Sequence, residues 1–220
     1  MSGEMEAVAQ SEIIASVFET VQRRMEGQGA GHDFEHVRRV FENAKTICAA
    51  EGGDWFVIGL SALLHDLGDA KFWDGQERSG EFATEILNNL GLSTSIVQHV
   101  VDIVDNLSFR KRKTAMPLSF EGQIVQDADR LDALGAIGIV RTVEYGATIG
   151  QPFYSPNPRE KTGIQHFDDK LLKLKQLMNT KTARDLAEKR DAFMRRFVEQ
   201  LRSEMVNHDG GEAKPDATGK

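Results

Sequence analysis

His65 and Asp66 stand side by side at the end of the run Val57-Ile58-Gly59-Leu60-Ser61-Ala62-Leu63-Leu64. A neutral metal ligand and an anionic one thus close a stretch that otherwise reads as buried helix. A carboxylate in such a place is costly unless it is paired or bound to a cation. Adjacent helix positions point about 100° apart, so side chains 65 and 66 can both reach one ion at the helix edge. Gly68 is the expected helix end, which puts the pair near a C-terminus, where the helix dipole favours positive charge. By itself the dipeptide reads equally well as a hydrogen-bonded core histidine with an aspartate at the helix exit.

Two further positions make a constellation. His36 opens another helical stripe within Gly31-His32-Asp33-Phe34-Glu35-His36-Val37. Asp129 lies in Gln126-Asp127-Ala128-Asp129-Arg130-Leu131-Asp132, a segment whose Ile124, Val125, Ala128, Leu131 and Leu134 fill one broad apolar face. A polar residue inside such a stripe needs a partner. Two imidazoles and two carboxylates suit Mn²⁺, Fe²⁺, Co²⁺, Ni²⁺ or Zn²⁺, with positions left for water and a substrate oxygen. The single cysteine, Cys48, excludes a disulfide framework and a thiolate metal cluster, and its place beside Ala44 and Ile47 marks it as core packing.

The elements that must position these residues all have helical spacing. Ile13, Ile14, Val17, Phe18 and Val21 form a first stripe. Val37, Val40, Phe41, Ala44, Ile47 and Cys48 form a second, after an expected Asp33 N-cap and before Gly52-Gly53. The third is the buried run closing at His65–Asp66. A fourth is predicted over about 81–90 and a fifth after a Ser93 cap, with Ile96, Val97, Val100, Ile103 and Val104. A long sixth runs from about 120 past 143, and two more occupy about 168–178 and 182–206. No period-2 alternation, hairpin or internal repeat is present, so the fold class is all-α. Residues 1–10 and 208–220 read as disordered tails around a single domain over 11–207. Two irregular stretches, about 105–119 and 146–166, remain, and the second has the Gly and Pro content of a binding loop or lid.

The 220 residues fit one domain, given about 150 per domain as the usual size. A net charge of −7 argues against a nucleic-acid binder, which needs a broad basic face, but not against a small phosphorylated substrate. No signal-peptide order and no run of about 18 apolar residues is found, so a cytoplasmic protein without a membrane partner is expected.

The order His36, His65-Asp66, Asp129 on successive helices resembles the HD-domain metal-dependent phosphohydrolase superfamily. The flanking segments 31–40, 63–72, 127–138 and 166–174 resemble its small bacterial branch that includes a nucleoside triphosphate pyrophosphohydrolase. The resemblance covers about residues 12–205. It implies an HD-domain helical bundle in which His36, His65, Asp66 and Asp129 hold one divalent metal, Mn²⁺ in the first instance, with Co²⁺, Ni²⁺, Fe²⁺, Zn²⁺ or Mg²⁺ as alternatives. Such a cation would polarise a phosphoryl oxygen and supply hydroxide from bound water. Asp66 and Asp69 are the catalytic candidates, because related hydrolases use an acidic residue at the offset of Asp69 to orient water or exchange a proton. The relatives that cleave guanosine tetraphosphate carry a Glu-Asp pair where this chain has Asp69-Ala70, which argues against that specialised activity.

Charge on the phosphoryl oxygens calls for donors. The candidates for substrate binding are Lys71, Arg39, His32, His166, Lys170 and Arg110, the last in the basic run 110–113. Each also reads as a solvated or salt-bridged side chain. Asp127 and Asp132 are expected to divide between salt bridges and support of the ligands, and His99 to be a surface or packed histidine. The expected partner is a small phosphorylated molecule, a nucleotide above all, with no nucleic-acid polymer; a homodimer is an open state. The alternatives are a nucleotide phosphomonoesterase of the same fold, an HD-type di-iron oxygenase drawing on His32, His99 or His166, and a non-catalytic nucleotide- or metal-sensing module. Two tightly bound irons would favour the oxygenase, and tight nucleotide binding without turnover the sensor.

Overall fold

The computed structural model describes residues 2–27, 33–70, 73–107, 116–157 and 159–206, and these contain helices and connections but no strand. In chain order they are α1 (Ser2–Arg24), α2 (Phe34–Glu51), α3 (Trp55–Leu64), α4 (Ser79–Asn89), α5 (Thr94–Asn106), α6 (Phe120–Asp132), α7 (Gly135–Thr148), α8 (Gly163–Asp169), a 3-10 segment (Leu171–Leu177) and α9 (Lys181–Val206).

The centre is α3, apolar on every side and buried from Phe56 through Leu64. A helix hydrophobic all round belongs inside a bundle, and α1, α2, α5 and α6 pack around it. Asp54 caps it, accepting the Phe56 N–H at 2.9 Å. Helix α2 lays Val37, Val40, Ala44 and Ile47 into the same core. The Asp33 carboxylate accepts the His36 N–H at 3.1 Å, the expected N-cap, and Gly52 ends the helix at φ 87°.

Four boundaries depart from the sequence reading. Residues 2–10 are helical rather than a tail: α1 starts at Ser2, and residues 3–9 are exposed and bury nothing. Their Glu, Met and Ala content favours helix without requiring a core. The buried run stops at Leu64, not at Gly68, and residues 65–68 form a turn, with the Asp69 N–H bonded to the Asp66 carbonyl at 3.2 Å. The long sixth helix is two helices, because Gly135 takes φ 73° and the chain turns between Asp132 and Gly135. The helix expected over 168–178 is α8 followed by the 3-10 segment; α8 starts earlier on a capping box between Thr162 and Gln165.

Candidate metal centre

His36 sits in the first turn of α2, three residues after its Asp33 cap, and is almost wholly buried. His65 and Asp66 stand in the turn that leaves α3, and Asp129 lies on the last turn of α6. Three separate elements therefore bring the four side chains together. His36 Nε2 is 3.3 Å from His65 Nε2, 3.4 Å from Asp66 Oδ2 and 3.6 Å from Asp129 Oδ1. His36, His65 and Asp66 offer ligand atoms all within 4.8 Å of one another.

The protons on the two rings decide what this cluster is. His65 Nδ1 lies 2.9 Å from the Ala62 carbonyl, which can only accept. Nδ1 is therefore the donor, and a neutral His65 turns the lone pair of Nε2 towards His36 and Asp66. His36 Nδ1 lies 2.8 Å from Asp132 Oδ2, so its Nε2 is likewise the atom facing the cluster. Two nitrogen lone pairs beside the Asp66 carboxylate, with the more exposed Asp129 at their edge, repel one another unless a cation is shared among them. The donor set fits a divalent metal of the imidazole and carboxylate class. A proton can stand in for it: burial and Arg141 oppose protonation of His36, yet hydrogen bonds to Asp132 and Asp66 prevail and hold its pKa above the ordinary histidine value.

Behind His36 lies an ion cluster. Asp132 is buried, and both of its oxygens are engaged by guanidinium groups: Arg39 Nε at 2.7 Å and Nη2 at 3.1 Å, and Arg141 Nη1 at 2.9 Å. Burial alone would raise the Asp132 pKa, but His36, Arg39 and Arg141 outweigh it and hold the carboxyl far below the usual range. Arg39, one turn beyond His36 on α2, is therefore committed to Asp132, and a phosphate would have to compete with that carboxylate for it. Arg141 was not singled out from the sequence. Its signal is a lone cation in the apolar run Ile137-Gly138-Ile139-Val140-Arg141, which reads as an interruption of a stripe until a partner is known.

Asp69 is buried in the turn below Asp66. The neighbouring Gly68 is pressed against the start of α4: a Cβ there would lie 2.4 Å from Arg78 C and Ser79 N. The Arg78 N–H bonds to the Gly68 carbonyl at 2.9 Å, and the Gly68 N–H to Ser79 Oγ at 3.1 Å. That contact holds the turn carrying Asp66 and Asp69.

His166 lies on α8 and Lys170 caps its end; both are half-buried, and α8 packs on α7, the helix that carries Arg141. His32, Lys71 and Arg110 lie outside the described residues. Asp127 takes no part in the cluster. It accepts the N–H groups of Asn179 and Thr180, at 2.8 Å each, and the Thr180 hydroxyl at 2.9 Å, and so anchors the start of α9. His99 is hydrogen-bonded to Ser119, the N-cap of α6, at 2.9 Å. Asp129 stands ten residues further along that helix, about 15 Å at 1.5 Å per residue, so His99 serves a helix start and not the cluster.

A family model described as HD domain matches residues 33–134, the segment that carries all four clustered residues. A Bacillus subtilis protein, the uncharacterized YpgQ, is 41% identical over 191 residues, which span 86% of this chain and 92% of YpgQ. Among solved structures, an HD-superfamily hydrolase from Bacillus thuringiensis superposes with a TM-score of 0.72 at 39% identity, covering 90% of this chain and 98% of that one. YpgQ in complex with ADP superposes with a TM-score of 0.75 at 35% identity, over 89% and 96% of the two chains. With the His, His-Asp and Asp side chains gathered from α2, the turn after α3 and α6, and with relatives matching nearly end to end, the chain belongs to the HD-domain superfamily.

Proposed function

We propose that this protein is a divalent-metal-dependent phosphohydrolase acting on a nucleotide, in the first instance a (deoxy)nucleoside triphosphate cleaved to monophosphate and pyrophosphate. The observation that carries the reading is the approach of His65 Nε2, Asp66 Oδ2 and Asp129 Oδ1 to the buried His36 Nε2, at 3.3, 3.4 and 3.6 Å, with the Nδ1 atoms of both histidines facing away from it. The relative YpgQ, similar over most of its length, has been solved with ADP, which supports a nucleotide as the ligand class. The resemblance of the flanking segments supports the pyrophosphohydrolase branch.

His36, His65, Asp66 and Asp129 would hold the metal, with Mn²⁺ favoured. A divalent cation there supplies Lewis-acid polarisation of a phosphoryl oxygen and a water of lowered pKa. Asp69, buried in the same turn as Asp66, is the residue proposed to orient the attacking water and accept its proton. Lys170 and His166, together with Lys71, His32, Arg110 and the exposed edge of Arg39, are the donors proposed for the phosphate oxygens. Among the described residues no helix is long and apolar enough to cross a membrane, in keeping with a diffusible substrate.

The test is a nucleotide panel assayed with Mn²⁺, Co²⁺, Ni²⁺ and Mg²⁺, with products separated into pyrophosphate and phosphate. Release of pyrophosphate from triphosphates is expected, and release of phosphate from monophosphates alone would move the reading to a phosphomonoesterase. Asp66→Ala should abolish turnover. Asp69→Asn should keep metal binding and lower kcat by about 10²–10⁴-fold, the usual contribution of a general acid or base. Wild-type activity in Asp66→Ala would sink the metal mechanism.

A further inference from the structure

The ion cluster behind His36 is larger than packing requires. Asp132 Oδ2 receives His36 Nδ1 at 2.8 Å, Arg141 Nη1 at 2.9 Å and Arg39 Nη2 at 3.1 Å, while Oδ1 receives Arg39 Nε at 2.7 Å. Three of these donors crowd Oδ2 and one takes Oδ1, so both oxygens are engaged and the orientation of the carboxylate is fixed. The donors come from two helices, α2 and α7, and the carboxylate from a third, α6. Drawing two partly buried guanidinium groups onto a buried carboxylate is weak support for stability, since desolvation offsets much of the attraction. What distinguishes this cluster is its place, against the ring nitrogen of His36 that faces away from the other three ligand residues.

We propose that Asp132 is a positioning residue for the metal centre. It keeps the His36 proton on Nδ1 and the ring plane fixed, so that the Nε2 lone pair is presented to the cation, and Arg39 and Arg141 hold Asp132 in that pose. The Ala62 carbonyl does the same for His65 through a backbone group that no substitution can remove. The proposal rests on the metal-dependent reading above. Outer partners of this kind usually change metal affinity by about 10–100-fold when removed.

The test combines a spectroscopic readout with metal affinity, neither of which needs turnover. Imidazole ¹⁵N NMR of the metal-free wild type, above the titration of His36, should find the ring proton on Nδ1; finding it on Nε2 would overturn the proposal whether or not any variant folds. Titration with Co²⁺, followed by its visible absorption, should give about 10–100-fold weaker binding for Asp132→Asn than for the wild type. Asp127→Asn is the control for plain destabilisation, a buried aspartate of the same helix that touches no ligand. It should lower the Tm yet bind Co²⁺ as the wild type does. A folded Asp132→Asn with wild-type Co²⁺ affinity, or an equal loss in Asp127→Asn, would overturn the positioning role. If the wild type itself bound no divalent metal, the hydrolase reading would fail first and take this one with it.

Discussion

Asp127 and Asp132 flank Asp129 on the same apolar helix, and their side chains do opposite jobs. Asp132 faces α2 and supports His36; Asp127 faces α9 and supports its first turn. Burial pushes the Asp127 carboxyl up, although the N–H groups of Asn179 and Thr180, the Thr180 hydroxyl and Arg130 pull against it. Asp127→Asn puts an amide N–H₂ against donors that need an acceptor. A loss of about 3 kcal/mol of stability is expected, the size of a charged hydrogen bond broken in a buried place, and urea unfolding would measure it. The sequence shows that both aspartates interrupt an apolar stripe and therefore need partners. Which partner each finds depends on α2 and α9, residues up to a hundred positions away, so the division could be anticipated but not assigned. His36, His65, Asp66 and Asp129 were legible because their order and their neighbours form one pattern. Arg141 was not, because a single cation on a helix has many ordinary uses.

At the scale of elements, the stops proved harder to read than the stripes. Helix α3 ends four residues before Gly68 because that glycine is needed for a close approach, with the Arg78–Ser79 backbone lying where a Cβ would stand. Gly68→Ala should therefore shift the turn or α4. The expected cost is about 1–3 kcal/mol, the usual range for forcing an extra carbon into a packed place, and thermal denaturation would show it as a lowered Tm. Because Asp66 and Asp69 share that turn, weaker metal binding should accompany the loss. If Gly68→Ala matched the wild type in both, the turn would not be held by this contact. The break between α6 and α7 follows the same logic. Gly135 opens α7 at φ 73°, a conformation that a side chain resists, and a Cβ on Gly138 would lie 2.2 Å from the Ala133 carbonyl. Leu134-Gly135-Ala136-Ile137-Gly138 held that signal, but the apolar periodicity running through it masked the stop.

Across the whole molecule, α9 closes the bundle against the two helices that carry His36 and Asp129. Glu51, the last residue of α2, accepts the Thr182 N–H at 2.5 Å. That backbone bond, with the Thr182 side chain, lowers the Glu51 pKa below its ordinary 4.5. A lowered carboxylate adds stability above its unfolded pKa and loses it as pH falls through the folded one. The Tm difference between the wild type and Glu51→Gln should thus be present at neutral pH and be lost as the pH falls below the usual carboxylate range. A difference that persisted in acid would show that the carboxylate charge is not its source. By itself the sequence determined the all-α class, the buried helix leading into His65–Asp66 and the four candidate ligands, because helical periodicity and a polar residue inside an apolar stripe are local facts. Only the tertiary structure decided that both histidines turn Nε2 towards each other and towards Asp66, that Asp132 is clamped between Arg39 and Arg141, and that Asp127 belongs to α9. Each of these depends on which distant backbone or side chain satisfies a buried polar atom, and that is settled by packing rather than by spacing along the chain.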